Sequence, residues 1–139
     1  MKPVDQTIMH EPHLGLYGDC MRAALASMLE VPIEKVPHFL HDNTSDNAEF
    51  CRRVSDFLRP LNLGYISFPE CRQALHETGV RGLVHEVSGT SERGVCHACV
   101  AVDGEIVHDP HPGRGGLDKI DYYGVFIVLD PGKPIGRPA

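Results

Sequence analysis

The sequence predicts an α+β fold, with N-terminal helices packed on a small antiparallel sheet, and three observations lead there. Apolar residues recur at helical spacing only in the first half, up to about Glu77. The second half holds short β-branched and aromatic runs bounded by glycine, proline or aspartate. Between two of those runs lies Asp103-Gly104, the strongest hairpin signal in the chain.

Each element has its own justification. Asp19 is a good N-cap residue for a helix from Cys20 to about Glu30, striped by Met21, Ala24, Leu25, Met28 and Leu29, with Pro32 as its stop. A second helix is expected from Ser45 or Asp46 to Leu58, with Phe50, Val54, Phe57 and Leu58 on one face. A third, shorter helix runs from Pro69 to Glu77 and closes at Gly79. The strands expected are Val80–Val87, Val95–Val102, Glu105–Asp109 and Tyr122–Leu129. Residues 1–130 read as a single domain. The tail 131–139, with three prolines and two glycines, is expected to be flexible and to lie loosely on the surface.

Composition narrows the function classes. With 42% hydrophobic and 23% charged residues, the 139-residue chain is too apolar for a disordered segment. A net charge of −6 argues against a general nucleic-acid binder. No apolar run approaches the roughly 18 residues that span a bilayer, so no membrane partner is expected. The start, Met1-Lys2-Pro3-Val4-Asp5-Gln6, is too polar for a signal peptide. Five irregularly spaced cysteines do not make a disulfide framework, so the expected compartment is the cytoplasm.

Gly18-Asp19-Cys20 puts a thiol in the first turn of a helix. The partial positive charge and outward amides of a helix start favour a thiolate there and can receive an oxyanion. A thiol nucleophile also needs a base, and the base needs an orienting group. His97 and Asp109 lie on the two strands flanking Asp103-Gly104. A two-residue turn would leave them on opposite faces of the ribbon. A three-residue loop, Val102-Asp103-Gly104, would set them directly across from each other, with Cβ atoms ~4.5–5.5 Å apart. The second register is the one adopted here, and it puts Cys99, Ala101 and Val107 on the same face as small residues for a helix to pack on.

Other features carry less. Cys96-His97-Ala98-Cys99 has the spacing of a metal clamp, but residues three apart on a strand point to opposite faces. Cys96, His108 and His111 make a weaker metal reading, with solvent exposure the simpler expectation for the two histidines. No cofactor or metal is therefore expected. Gly113-Arg114-Gly115-Gly116 reads as a mobile loop beside the site, and Asp118, Lys119 and Asp121 as solvated charges. Cys51 and Cys71 fall within the expected helices.

Gly18-Asp19-Cys20, Ala23-Ala24-Leu25-Ala26-Ser27-Met28-Leu29-Glu30-Val31-Pro32 and Val36-Pro37-His38-Phe39, followed later by His97-Ala98-Cys99-Val100-Ala101 and Asp103 to Pro112, resemble small bacterial and phage proteins related to papain-like cysteine peptidases. The order cysteine, histidine, aspartate agrees with that pattern. The resemblance implies a papain-like domain and Cys20 as nucleophile, His97 as general base and acid, and Asp109 as orienter. It also implies an upstream glutamine donating to the oxyanion. Where papain-like enzymes usually carry it, this chain has Leu14, and the only upstream candidate is Gln6.

The expected function is a thiol hydrolase or acyl transferase acting on an amide, isopeptide or thioester bond. Its substrate would be a peptide, a protein or a small acyl or amide compound. The alternative is a papain-like scaffold that holds a peptide or partner protein without turning it over, for instance as an inhibitor of a host protein.

Overall fold

The computed structural model describes residues 1–139. Three helices, α1 (Cys20–Leu29), α2 (Asn47–Leu58) and α3 (Arg72–Thr78), join five strands: β1 (Leu63–Pro69), β2 (Val84–Thr90), β3 (Cys96–Val102), β4 (Glu105–His108) and β5 (Lys119–Val128). The strands form one antiparallel sheet in the order β1-β5-β2-β3-β4. The α+β class is therefore as expected. Helices and strands are less segregated than expected, because β1 falls between α2 and α3.

α1 ends where Glu30 turns left-handed at φ 57°, two residues before Pro32. Its Leu25, Ala23 and Ala26 are buried with Val54 and Leu58 of α2, Leu63 and Tyr65 of β1 and Ala98 of β3. Burying a leucine side chain of this kind contributes ~1.5–3 kcal/mol. α2 is the amphipathic helix its spacing suggested, and the Asp46 carboxylate caps it by accepting from Ala48 and Glu49 N–H. The opposite face of the sheet buries a smaller cluster, Val87, Cys99, Ala101 and Tyr123, against Cys71 and Leu75 at the α3 end. Cys71 is the residue preceding α3, outside the helix proper, whereas Cys51 lies within α2.

Two glycines are fixed by close approach. A Cβ on Gly89 would overlap the Lys119 carbonyl, where the β2–β5 register shifts. One on Gly124 would strike the Tyr65 hydroxyl and the Glu86 carboxyl, which meet across β5 at 3.1 Å. Residues 131–139 have no regular structure and lie on the surface, where Gly136 N–H donates to the Leu61 carbonyl and the Asn62 amide to those of Lys133 and Pro134.

The β3–β4 hairpin corrects the adopted register. Val102 pairs with Glu105 and Ala101 with Ile106, so the turn is the two-residue Asp103-Gly104, both at positive φ (52° and 87°). The register then shifts, and Val100 pairs with His108. The extra residue, Val107, reverses the side-chain alternation beyond it. Asp109 thus returns to the face of His97 and Cys99, which the unbulged two-residue turn would have denied it.

Candidate functional site

Cys20 opens α1, but Asp19 does not cap that helix. Its buried carboxylate instead accepts from Thr7 N–H (2.9 Å), Ile8 N–H (2.8 Å) and the Thr7 hydroxyl (2.8 Å), fastening the N-terminal arm beside the helix start. The first backbone bond of the helix runs from Ala23 N–H to the Asp19 carbonyl. The amides of Cys20 and Arg22 consequently have no backbone partner, while that of Met21 is turned to the Cys20 sulfur. The expected cap thus became a clamp, and the helix start was left open.

Cys20 itself is half-buried. Burial pushes its thiol up to about 12, opposed by the backbone N–H groups of Ala98 and Met21 and reinforced by Cys96 and Glu86. The resting group is therefore a neutral thiol, where the helix position alone had suggested a thiolate. Since the Ala98 amide eases the sulfur, Cys20 lies against the peptide that links His97 to Ala98.

His97 and Asp109 are both buried and meet directly: Nε2 of the ring donates to Oδ1 of the carboxylate at 2.6 Å. Asp109 also accepts from His111 N–H at 2.8 Å and Gly116 N–H at 2.7 Å. Burial works against its ionisation, but the bonds from His97, His111 and Gly116 win and hold it below the usual carboxylate range. An ionised acceptor at Nε2 fixes the proton there and leaves Nδ1 as the basic nitrogen, with no hydrogen bond of its own. Burial lowers the His97 pKa below the ordinary value; Asp109 partly offsets this, while Arg93 and His111 push it further down. Cys99, completely buried, lies beside Asp109, and its thiol is driven far above the normal range, chiefly by burial and then by the Asp109 charge.

Cys20 and His97 share the wall of one cavity of about 1070 Å³, which Gln6, His111, Arg93, Tyr65 and Tyr122 also line. No hydrogen bond joins the sulfur to the imidazole: Cys20 packs with Ala98 on the α1 face of the sheet, whereas His97 shares the other face with Cys99. Gln6 is buried beside the site, its backbone N–H donating to Pro110 and its side-chain amide to Ile8 at 2.8 Å. That bond fixes the amide orientation and leaves Oε1 buried without a partner, an unpaired state it shares only with Oε1 of Glu86.

Several neighbours depart from expectation. His108, expected in solvent, is buried and directs Nε2 to the Val4 carbonyl at 2.8 Å, which ties the arm to β4. The 113–116 segment holds the acid in place: Gly116 N–H and the Arg114 guanidinium grip Asp109 through its side chain and carbonyl, and Arg114 also pairs with Asp5. Lys119 and Asp121 are surface charges, as expected, and pair with each other at 3.3 Å. His111, read from the sequence only as a weak metal ligand or a solvent-exposed ring, lines the cavity beside His97. The available signal was its place between Pro110 and Pro112, which limits the backbone there.

Cys96, His108 and His111 do not come together. The three groups whose ligand atoms do converge, within 4.8 Å, are His97, Cys99 and Asp109. Nitrogen, sulfur and oxygen donors suit a divalent zinc ion. Ligation through Nε2 of His97 would require giving up its hydrogen bond to Asp109.

Comparison of the chain with protein-family models, with curated proteins and with solved structures returned no match.

Proposed function

We propose that the protein is a thiol hydrolase or acyl transferase of papain-like type, with Cys20 as nucleophile, His97 as general base and acid, and Asp109 as the group that orients His97. The observation that carries this reading is the buried 2.6 Å contact that commits Nε2 of His97 to Asp109 and leaves Nδ1 without a hydrogen bond, in a residue that lines the same cavity as Cys20.

Thiol and imidazole are both neutral at rest, so proton transfer accompanies attack. Cys20 Sγ bonds to the substrate carbonyl carbon as its proton passes to Nδ1 of His97. The carbonyl oxygen, now an oxyanion, is received by the unpartnered amides at the start of α1. The second hydrogen of the Gln6 amide nitrogen is available to help. Collapse of this intermediate breaks the bond to the leaving group, which takes the proton from His97. Water or an amine then releases the acyl group from sulfur, with His97 again as base.

A burst assay tests this. With p-nitrophenyl acetate, the wild-type protein is expected to release about one equivalent of nitrophenolate rapidly and then turn over slowly. An undiminished burst from Cys20→Ala would overturn the assignment.

One observation favours a second reading, a scaffold that binds without catalysis: the thiol is raised and makes no hydrogen bond to His97. In that case peptides would bind in the cavity and the burst would be absent.

A further inference from the structure

The wall beyond His97 bears on which substrates this site selects, a question that rests on the catalytic reading above. In that chemistry His97 hands its proton to the departing amine, so the leaving half of the substrate must lie against His97. What surrounds His97 on the cavity side is therefore what the leaving half meets.

Two donors stand there. His111 lines the cavity with its ring edge-on to that of His97, centroids 6.2 Å apart. Its Nδ1 accepts from Gly113 N–H at 2.9 Å, which puts the ring proton on Nε2 and makes that nitrogen a donor. Its backbone N–H is fastened to Asp109, so the ring's position is tied to the acid that positions His97. Arg93, in the turn between β2 and β3, lines the same cavity and forms no salt bridge. Its charge reaches His97 and disfavours protonation of the ring.

The cavity's two carboxylates belong to other elements: Asp46 caps α2, and Glu11 sits in the turn that pairs with Leu16. Asp109, the nearest acid, is already occupied by His97, His111 and Gly116. An arginine with no acid partner and an imidazole N–H with no acceptor thus face the leaving half from one side. Neither is matched by an anion within the protein.

We propose that His111 and Arg93 hold a carboxylate on the leaving half of the substrate, so that the preferred bond is an amide whose amine portion carries an acid, as in a peptide cleaved near a free C-terminus. The planar guanidinium gives a bidentate fork and the imidazole a single directed donor.

The test separates this inference from the catalytic reading. Cys20→Ala protein, which cannot turn over, is titrated with acetyl-trialanine and with its C-terminal carboxamide, with binding followed by calorimetry and by the histidine ring resonances. The free acid is expected to bind about tenfold more tightly or better. Arg93→Gln is expected to remove most of that preference and His111→Gln part of it. Arg93 is exposed and the His111 contact to Asp109 is made by its backbone, so both variants keep the acid's partners. The glutamine oxygen in His111→Gln can accept from Gly113 N–H in place of Nδ1, and unchanged thermal unfolding of each variant checks this. Equal affinity for acid and carboxamide, or a preference that survives Arg93→Gln, overturns the inference whatever the burst assay gives. Binding that prefers the acid in a protein without a burst would uphold the carboxylate site and remove the catalytic reading instead.

Discussion

Asp109→Asn is the perturbation that reaches furthest into the site. The native carboxylate accepts from Nε2 of His97 (2.6 Å), His111 N–H (2.8 Å) and Gly116 N–H (2.7 Å). Bonds to a charged acceptor contribute ~1.5–3 kcal/mol each, against ~0.5–1.5 kcal/mol for neutral ones. An asparagine keeps one oxygen acceptor and turns an NH₂ group towards at least one buried donor, which costs a further ~1–3 kcal/mol. The expected loss is about 4 kcal/mol. For a domain of this size that lowers Tm by roughly 10–15 °C. Below the new Tm, kcat/KM is expected to fall by roughly 10²–10⁴, because an amide whose oxygen turns to His111 or Gly116 N–H no longer holds the proton on Nε2 of His97. Thermal unfolding and single-turnover acylation measure the two effects, and the His97 ring resonances add a third. Its pKa should drop further once the acid that raises it is neutral. A Tm within ~2 °C of wild type would refute the reasoning, since it would mean the carboxylate does not carry these three donors.

The acylation rate is expected to rise with pH as His97 loses its proton, at a pKa below the ordinary histidine value because burial disfavours the cation. It should then stay level to at least pH 9, since the Cys20 thiol ionises only near 12; a bell centred between those limits would contradict a neutral thiol–imidazole pair. His85, wholly buried, accepts from Gly104 N–H at 2.9 Å, and its pKa too is lowered, chiefly by burial. For such a histidine the unfolded chain binds the proton more readily, so the stability it confers is present above the unfolded pKa and lost as pH falls below it. His85→Gln should accordingly flatten the acid limb of a Tm-against-pH curve; an unchanged slope would tell against this. Glu86 behaves in the opposite sense. Burial raises it to about 8, so its cost appears above the unfolded carboxylate pKa and grows until the folded group also ionises. Glu86→Gln should stabilise the protein by about 3 kcal/mol at pH 7 and very little at pH 4, compared by melts at the two values; an equal shift at both would show that ionisation is not the cause.

Periodicity made the helices legible. Met21, Leu25 and Met28 mark α1, and Phe50, Val54 and Phe57 mark α2, in both cases because one face meets the sheet. β1 was not legible: Leu63-Gly64-Tyr65-Ile66-Ser67 carries apolar groups on both faces, breaks the pattern at Gly64 and ends at Pro69, which resembles a helix start. The site was legible in part. Cys20, His97 and Asp109 could be named as candidates from residue types, but the three-residue loop expected to bring His97 to Asp109 does not form, and the actual route was not legible. A bulge at Val107 decides that, and nothing in the sequence marks Val107 as an inserted residue. The raised thiol was equally hidden, because a helix start says how a sulfur is polarised and not how much water surrounds it. The clamp made by Asp19 depends on Thr7 and Ile8, a contact that no local pattern announces.

Locating the adduct left by an electrophilic acyl probe tests the proposed nucleophile most directly. The protein supplies its own control, since Cys96 is an exposed thiol whereas Cys20 is half-buried and harder to ionise. Plain accessibility would direct the probe to Cys96; base-assisted attack would direct it to Cys20. Digestion and mass spectrometry are expected to find one acyl group, on Cys20, at pH 7, with labelling slowed at least a hundredfold in His97→Gln. Acylation of Cys96 in preference to Cys20, or of Cys20 at the same rate in His97→Gln, would contradict the assignment.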